Sequence, residues 1–132
     1  MIFLDASAAV GILAREPDEP RLTETMMAAE GVAVSALVEY DTVAALARIK
    51  RRAIPEARAV MTRFLADHAA RWIPIDAEIA AAALTAFDRY GKGRHRAALN
   101  MGDCFSYACA RVHRLPLLYK GEDFALTDIE AA

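Results

Sequence analysis

The chain is poor in cysteine, holding only Cys104 and Cys109 in 132 residues. Lying five positions apart in a predicted helix, they point to different faces, which excludes a disulfide framework and a thiolate metal knuckle. Apolar runs of membrane-spanning length are also missing. The best candidate, Ala77 to Phe87, is short, Ala-rich and interrupted by Glu78. No basic segment precedes the first apolar residues, so a secretory leader is not expected, and a reducing cytoplasm suits the two thiols. Internal repeats, low-complexity tracts and linkers are absent. The three histidines, His68, His95 and His113, are scattered over a helix, a loop and a helix end, and no catalytic role is assigned to them.

What is present is apolar content of 56%, sufficient for one domain over residues 1–132 with a core that needs no disulfide. The formal net charge of −2 conceals segregation. Met1 to Ala47 carries eight acids against two bases; Arg48 to Arg63 carries six bases against one acid, and Arg89 to Lys120 seven against one. Basic blocks often form only solvated helix faces, yet beside an acidic N-terminal part they suit a protein that grips a polyanion while keeping a separate carboxylate site.

Ile2-Phe3-Leu4 is apolar without alternation and turns polar at Asp5, as a buried strand of a parallel sheet does. A helix from Ala6 to Arg15 follows, then one from Pro20 to Ala29, stopped at Gly31 by a left-handed glycine. Val32 to Val34 is a second strand, Ser35 caps a helix running to Arg52, and Pro55 starts another. Trp72 to Ile75 predicts a third strand, placed at an edge by Pro74. Asp76 caps a helix to Tyr90, a basic loop spans Gly91 to Leu99, and Asn100 caps a helix from Met101 to Arg114. Leu117 to Tyr119 is a fourth strand, and a short fifth is expected around Thr127 to Ile129. Strands alternating with helices predict an α/β fold: a short parallel sheet of four to five strands with helices on both faces, α/β/α.

Four acids fall near one edge of such a sheet. Asp5 and Asp123 follow strands, while Glu39 and Asp103 open helices. Each has an ordinary explanation alone: Asp5 or Ser7 caps a helix, Asp103 completes a capping box with Asn100, and Asp123 lies in a Gly-rich turn. Glu39 continues the apolar stripe of Val43 and Leu46, whereas Asp41 falls on another side and reads as a surface residue. Taken together, four crowded carboxylates resist ionisation unless a cation joins them. An all-oxygen set favours Mg²⁺ or Mn²⁺, which promote phosphoryl chemistry. A receiver-type phosphoacceptor domain has similar length and acids, but it wants paired acids after the first strand and an acceptor after the third, where only the helix-capping Asp76 stands.

The stretches IFLDASA, LNMGDCFSYACA and LLYKGEDFALTDI resemble those of PIN-domain ribonucleases, and more narrowly VapC toxins of toxin–antitoxin pairs. The resemblance spans essentially the whole chain and identifies Asp5, Glu39, Asp103 and Asp123 as the acidic quartet. Asp123 is preferred to Glu122 because the family pattern ahead of Phe is Lys-Gly-x-Asp. It further implies metal-dependent cleavage of RNA, commonly tRNA or ribosomal RNA, growth arrest, a homodimer, and a VapB-type antitoxin covering the groove. On this footing Asp5 and Asp103 are the nearest metal ligands. Ser7 orients a carboxylate or phosphate, and Lys92, Arg94 and Arg96 lie ready for phosphates beside the cut.

Overall fold

The computed structural model describes all of residues 1–132. Strand β1 (Ile2–Leu4) is buried along its whole length, as are β2 (Val32–Val34) and β4 (Leu117–Leu118); β3 (Arg71–Trp72) is exposed. The order is β3-β2-β1-β4 and every pairing is parallel. Phe3 stands opposite Ala33 on one side and Leu117 on the other, so the first strand occupies the interior of the sheet. That position explains its unbroken apolar sequence, because both of its faces are covered. The edge position expected for the third strand holds.

Helices α1 (Ala6–Leu13), α2 (Glu19–Ala28), α3 (Ala36–Lys50), α4 (Ile54–Asp67), α5 (Ala77–Tyr90) and α6 (Met101–His113) connect and flank these strands. The caps read from the sequence are made: Asp5, Ser35, Asp76 and Asn100 each accept a backbone N–H of the following helix. One stop signal differs. Helix α2 ends with Ala29 in extended conformation, and Gly31 is not left-handed; its carbonyl instead accepts the Ile2 N–H at 3.0 Å. The left-handed stops fall on Arg51 and Arg114, after α3 and α6.

The expected fifth strand at Thr127 to Ile129 is absent. A 3₁₀ turn (Phe124–Leu126) comes first, and the Thr127 hydroxyl turns back to the Phe124 carbonyl at 2.7 Å. Pairing resumes only further on, where Leu117 donates to Glu130 (2.8 Å) and accepts from Ala132 (3.0 Å). The tail is held instead by Asp128. Its carboxylate accepts the Tyr107 hydroxyl and faces Arg89 at 3.6 Å and Arg111 at 3.5 Å. The Tyr107 bond and the two arginines hold Asp128 below the usual carboxylate range, while burial pushes Tyr107 up to about 12. Asp128→Asn should cost about 1 kcal/mol, as a charge-assisted bond at a half-exposed position does. Urea midpoints at pH 7 check it, and the difference should persist down to about pH 4 and shrink only below it, as pH falls from the ordinary value of 3.8 through the lower folded one.

Candidate active site

Asp5 terminates β1 and is only 3% exposed. Its Oδ2 accepts the Ser7 backbone N–H at 2.9 Å and the Ser7 hydroxyl, and that hydroxyl accepts the Lys120 N–H at 3.0 Å. Helix capping and carboxylate orientation, posed as alternatives for these residues, are therefore one arrangement. Ser7 fixes the Asp5 rotamer and ties it to the end of β4.

Asp103 sits in the first turn of α6. The capping box is complete: Asn100 Oδ1 accepts the Asp103 N–H (2.9 Å), and Asp103 Oδ2 accepts the Asn100 N–H (3.0 Å). Burial pushes Asp103 up to about 6; the Asn100 backbone bond opposes the rise, and the charges of Asp5, Asp123 and Asp41 add to it. Asp123 is exposed, just before the 3₁₀ turn, close enough for its charge to be felt at Asp103.

The acid that α3 contributes is Asp41 and not Glu39. Glu39 lies in a separate apolar groove between α3 and α4, where its Oε1 pairs with Arg58 at 3.1 Å. Asp41 instead shares an open groove of about 960 Å³ with Asp5, Ser7, Asn100, Gly102 and Asp103. Burial and the Asp5 charge both raise its proton affinity. A Cβ at Gly102 would collide with Asp41 Oδ2, so glycine there lets the carboxylate lie against the N-terminal turn of α6, whose dipole favours an anion. The buried side of α3 carries Val38, Thr42, Val43 and Leu46. Glu39 falls on that side towards α4, and Asp41 lies outside it. Helical spacing places Asp41, Ala45 and Arg48 on one side, all lining the groove, but spacing alone does not mark that side as the site.

The loop bases also depart from expectation. None of Lys92, Arg94 or Arg96 lines the groove. Arg94 folds back onto α5, pairing with Asp88 at 3.0 Å and stacking 5.5 Å from the Phe87 ring. The groove's basic residues are Arg48 and Lys120, and Lys120 is tied to Glu16 at 3.2 Å. Asp76 only caps α5, accepting from Ile79 at 3.0 Å, which removes the receiver-type alternative. Both cysteines are buried in α6, and burial pushes each thiol up to about 11, so neither is poised for thiolate chemistry.

No three His, Cys, Asp or Glu side chains stand close enough together to hold a metal ion as they are placed. Their donor chemistry nevertheless fits a hard cation. Asp5 and Asp103 each engage one oxygen in hydrogen bonds and leave the other uncommitted, and Asp41 has no hydrogen bond within the chain. Mutual repulsion keeps such oxygens apart until a cation offsets it.

Residues 2–130 match the PIN domain family model. The chain is 44% identical to Ribonuclease VapC of Mycolicibacterium smegmatis over 98% of both chains. It is 41% identical to a VapC ribonuclease of Rhizobium meliloti, over 98% of this chain and 99% of that one. In fold it is similar to VapC20 of Mycobacterium tuberculosis, a sarcin-ricin loop cleaving toxin (TM-score 0.79, 17% identity, 100% and 98% of the two chains). It is likewise similar to VapBC2 of Rickettsia felis bound to a promoter DNA fragment (TM-score 0.71, 16% identity, 99% and 96%). A parallel sheet with carboxylates gathered at one end of β1, and full-length identity to these relatives, place the chain in the PIN domain family, among the VapC proteins.

Proposed function

We propose that the chain is a metal-dependent endoribonuclease, the toxin of a VapBC pair. The observation that carries this reading is the single groove holding Asp5, Asp41 and Asp103, with Asp123 near enough to perturb Asp103. Asp5, Asp41 and Asp103 would hold Mg²⁺ or Mn²⁺ through their uncommitted oxygens, with Asp123 contributing at the margin. When bound, such an ion makes water nucleophilic at neutral pH and offsets charge on the phosphoryl oxygens. The chain's own part is to hold those carboxylates aimed. Ser7 holds Asp5 in one rotamer, and the capping box holds Asp103. None of these contacts supplies a protein nucleophile, and hydrolysis by water needs none.

The substrate in this reading is tRNA or ribosomal RNA, and its cleavage arrests growth in the cytoplasm. No helix is long and apolar enough to cross a membrane. A VapB-type antitoxin would cover the groove, and the toxin would act as a homodimer; the names of the VapBC relatives support the first of these. Cleavage of total cellular RNA with Mn²⁺ and with excess EDTA tests the activity. Discrete fragments should appear only with the metal. Fragments in EDTA would overturn metal dependence, and none in either condition would overturn the nuclease reading.

A further inference from the structure

Of the chain's arginines and lysines, only Arg48 and Lys120 line the acidic groove, and the two differ in one respect. Lys120 is paired with Glu16, whereas Arg48 has no ion pair or hydrogen bond within the chain. The Arg48 guanidinium pairs with none of the carboxylates that share the groove. Both Arg48 and Lys50 lie in the last turn of α3, where the dipole favours a cation, but Lys50 faces a different depression, beside Leu13 and Leu46.

Arg48 lies seven residues beyond Asp41, about 10 Å along the α3 axis on the same face. Ala44 and Ala45 line the groove between them, and Ile49 lines it beyond Arg48. With Asp41 at one end of this stretch of α3, an unpaired guanidinium at the other and small residues between, the groove is suited to an extended polyanion whose scissile phosphate is at the acids. Resting on the nuclease reading above, the geometry points to Arg48 as the residue that binds a phosphate flanking the cut, so that the RNA strand runs along α3 towards its C-terminal end. Arg48 is a positioning residue for the strand and takes no part in the bond breaking. The planar fork of a guanidinium suits it to a phosphate that is held without being cleaved.

The test compares Arg48→Gln with Lys50→Gln, which remove the same charge from neighbouring positions on different faces. Both are made in the Asp103→Asn chain to prevent turnover and checked for cooperative melting. Each is titrated against a fluorescein-labelled single-stranded oligoribonucleotide of mixed sequence, by anisotropy at several salt concentrations. Arg48→Gln should weaken binding about tenfold and flatten the slope of log K against log salt by about 0.7, the mark of one lost phosphate contact on a single strand. Lys50→Gln should stay within about twofold of its parent. Equal losses in the two variants, or none in Arg48→Gln, would overturn this inference while the nuclease reading stands. A parent that binds no RNA, with a wild type that cuts none, would overturn both.

Discussion

Asp41→Asn should lower RNA cleavage by about a hundredfold or more, while Glu39→Gln should leave it within about twofold of wild type. The two acids are separated by one residue and share a helix, so composition and local charge barely distinguish them. Position does. Asp41 shares a groove with Asp5 and Asp103 and lies against Gly102, whereas Glu39 faces α4 and an arginine. The Glu39–Arg58 pair is exposed on the arginine side, so breaking it should have little effect on stability. Initial rates with Mn²⁺ on one RNA substrate decide the matter. The reverse outcome, an active Asp41→Asn and a dead Glu39→Gln, would return the fourth ligand to the residue that the apolar stripe suggested.

The second large effect concerns Asp103. Asp103→Asn should abolish cleavage, by a thousandfold or so, and yet raise the melting temperature of the metal-free protein at pH 7. An asparagine keeps an oxygen for the Asn100 N–H, so the capping box survives, while the charge that burial and Asp5 disfavour is gone. The pH dependence follows from the same cause. Folding raises the Asp103 proton affinity from an ordinary 3.8 to about 6, so the folded state binds more protons than the unfolded chain in that interval. Metal-free wild type therefore loses stability as pH rises from about 4 to about 6, and the variant should lack this decline. Added Mn²⁺ reverses the comparison at pH 7, stabilising wild type but not Asp103→Asn, with an effect that fades below pH 6 as protons compete for the ligands. Thermal melts at pH 5 and 7, with and without metal, read all of this. A wild type indifferent to Mn²⁺ would remove Asp103 from the metal site.

Much of this arrangement was legible in the residues alone, for identifiable reasons. Strands β1, β2 and β4 stand out because interior parallel strands are apolar on both faces, and three helix starts because Ser35, Asp76 and Asn100 are capping types just ahead of helical spacing. The placement of acids at strand ends and helix starts was enough to bring Asp5, Asp103 and Asp123 to one end of the sheet. The choice between Glu39 and Asp41 was not legible. Helical periodicity marks the buried side of α3 but does not reveal that α4 borders one edge and α6 the other. The loop from Gly91 to Leu99 failed for a related reason: no period constrains a loop, and Arg94 found Asp88 and Phe87 behind it. At the tail, Asp128 anchors the chain through Tyr107 and two arginines, contacts that no local pattern encodes.

The hydroxyl of Ser7 joins the first acid to the backbone of residue 120, and β1 finds its neighbour β4 only at residues 117 and 118. A nascent polypeptide thus carries Asp5 early, oriented only by its neighbour Ser7, and gains the adjoining strand and the Lys120 amide once residues 117 to 120 have been made. Fragments that stop short of those residues would carry Asp5 without the strand and the amide that seat it, so assembly of the groove waits on a segment far along the chain.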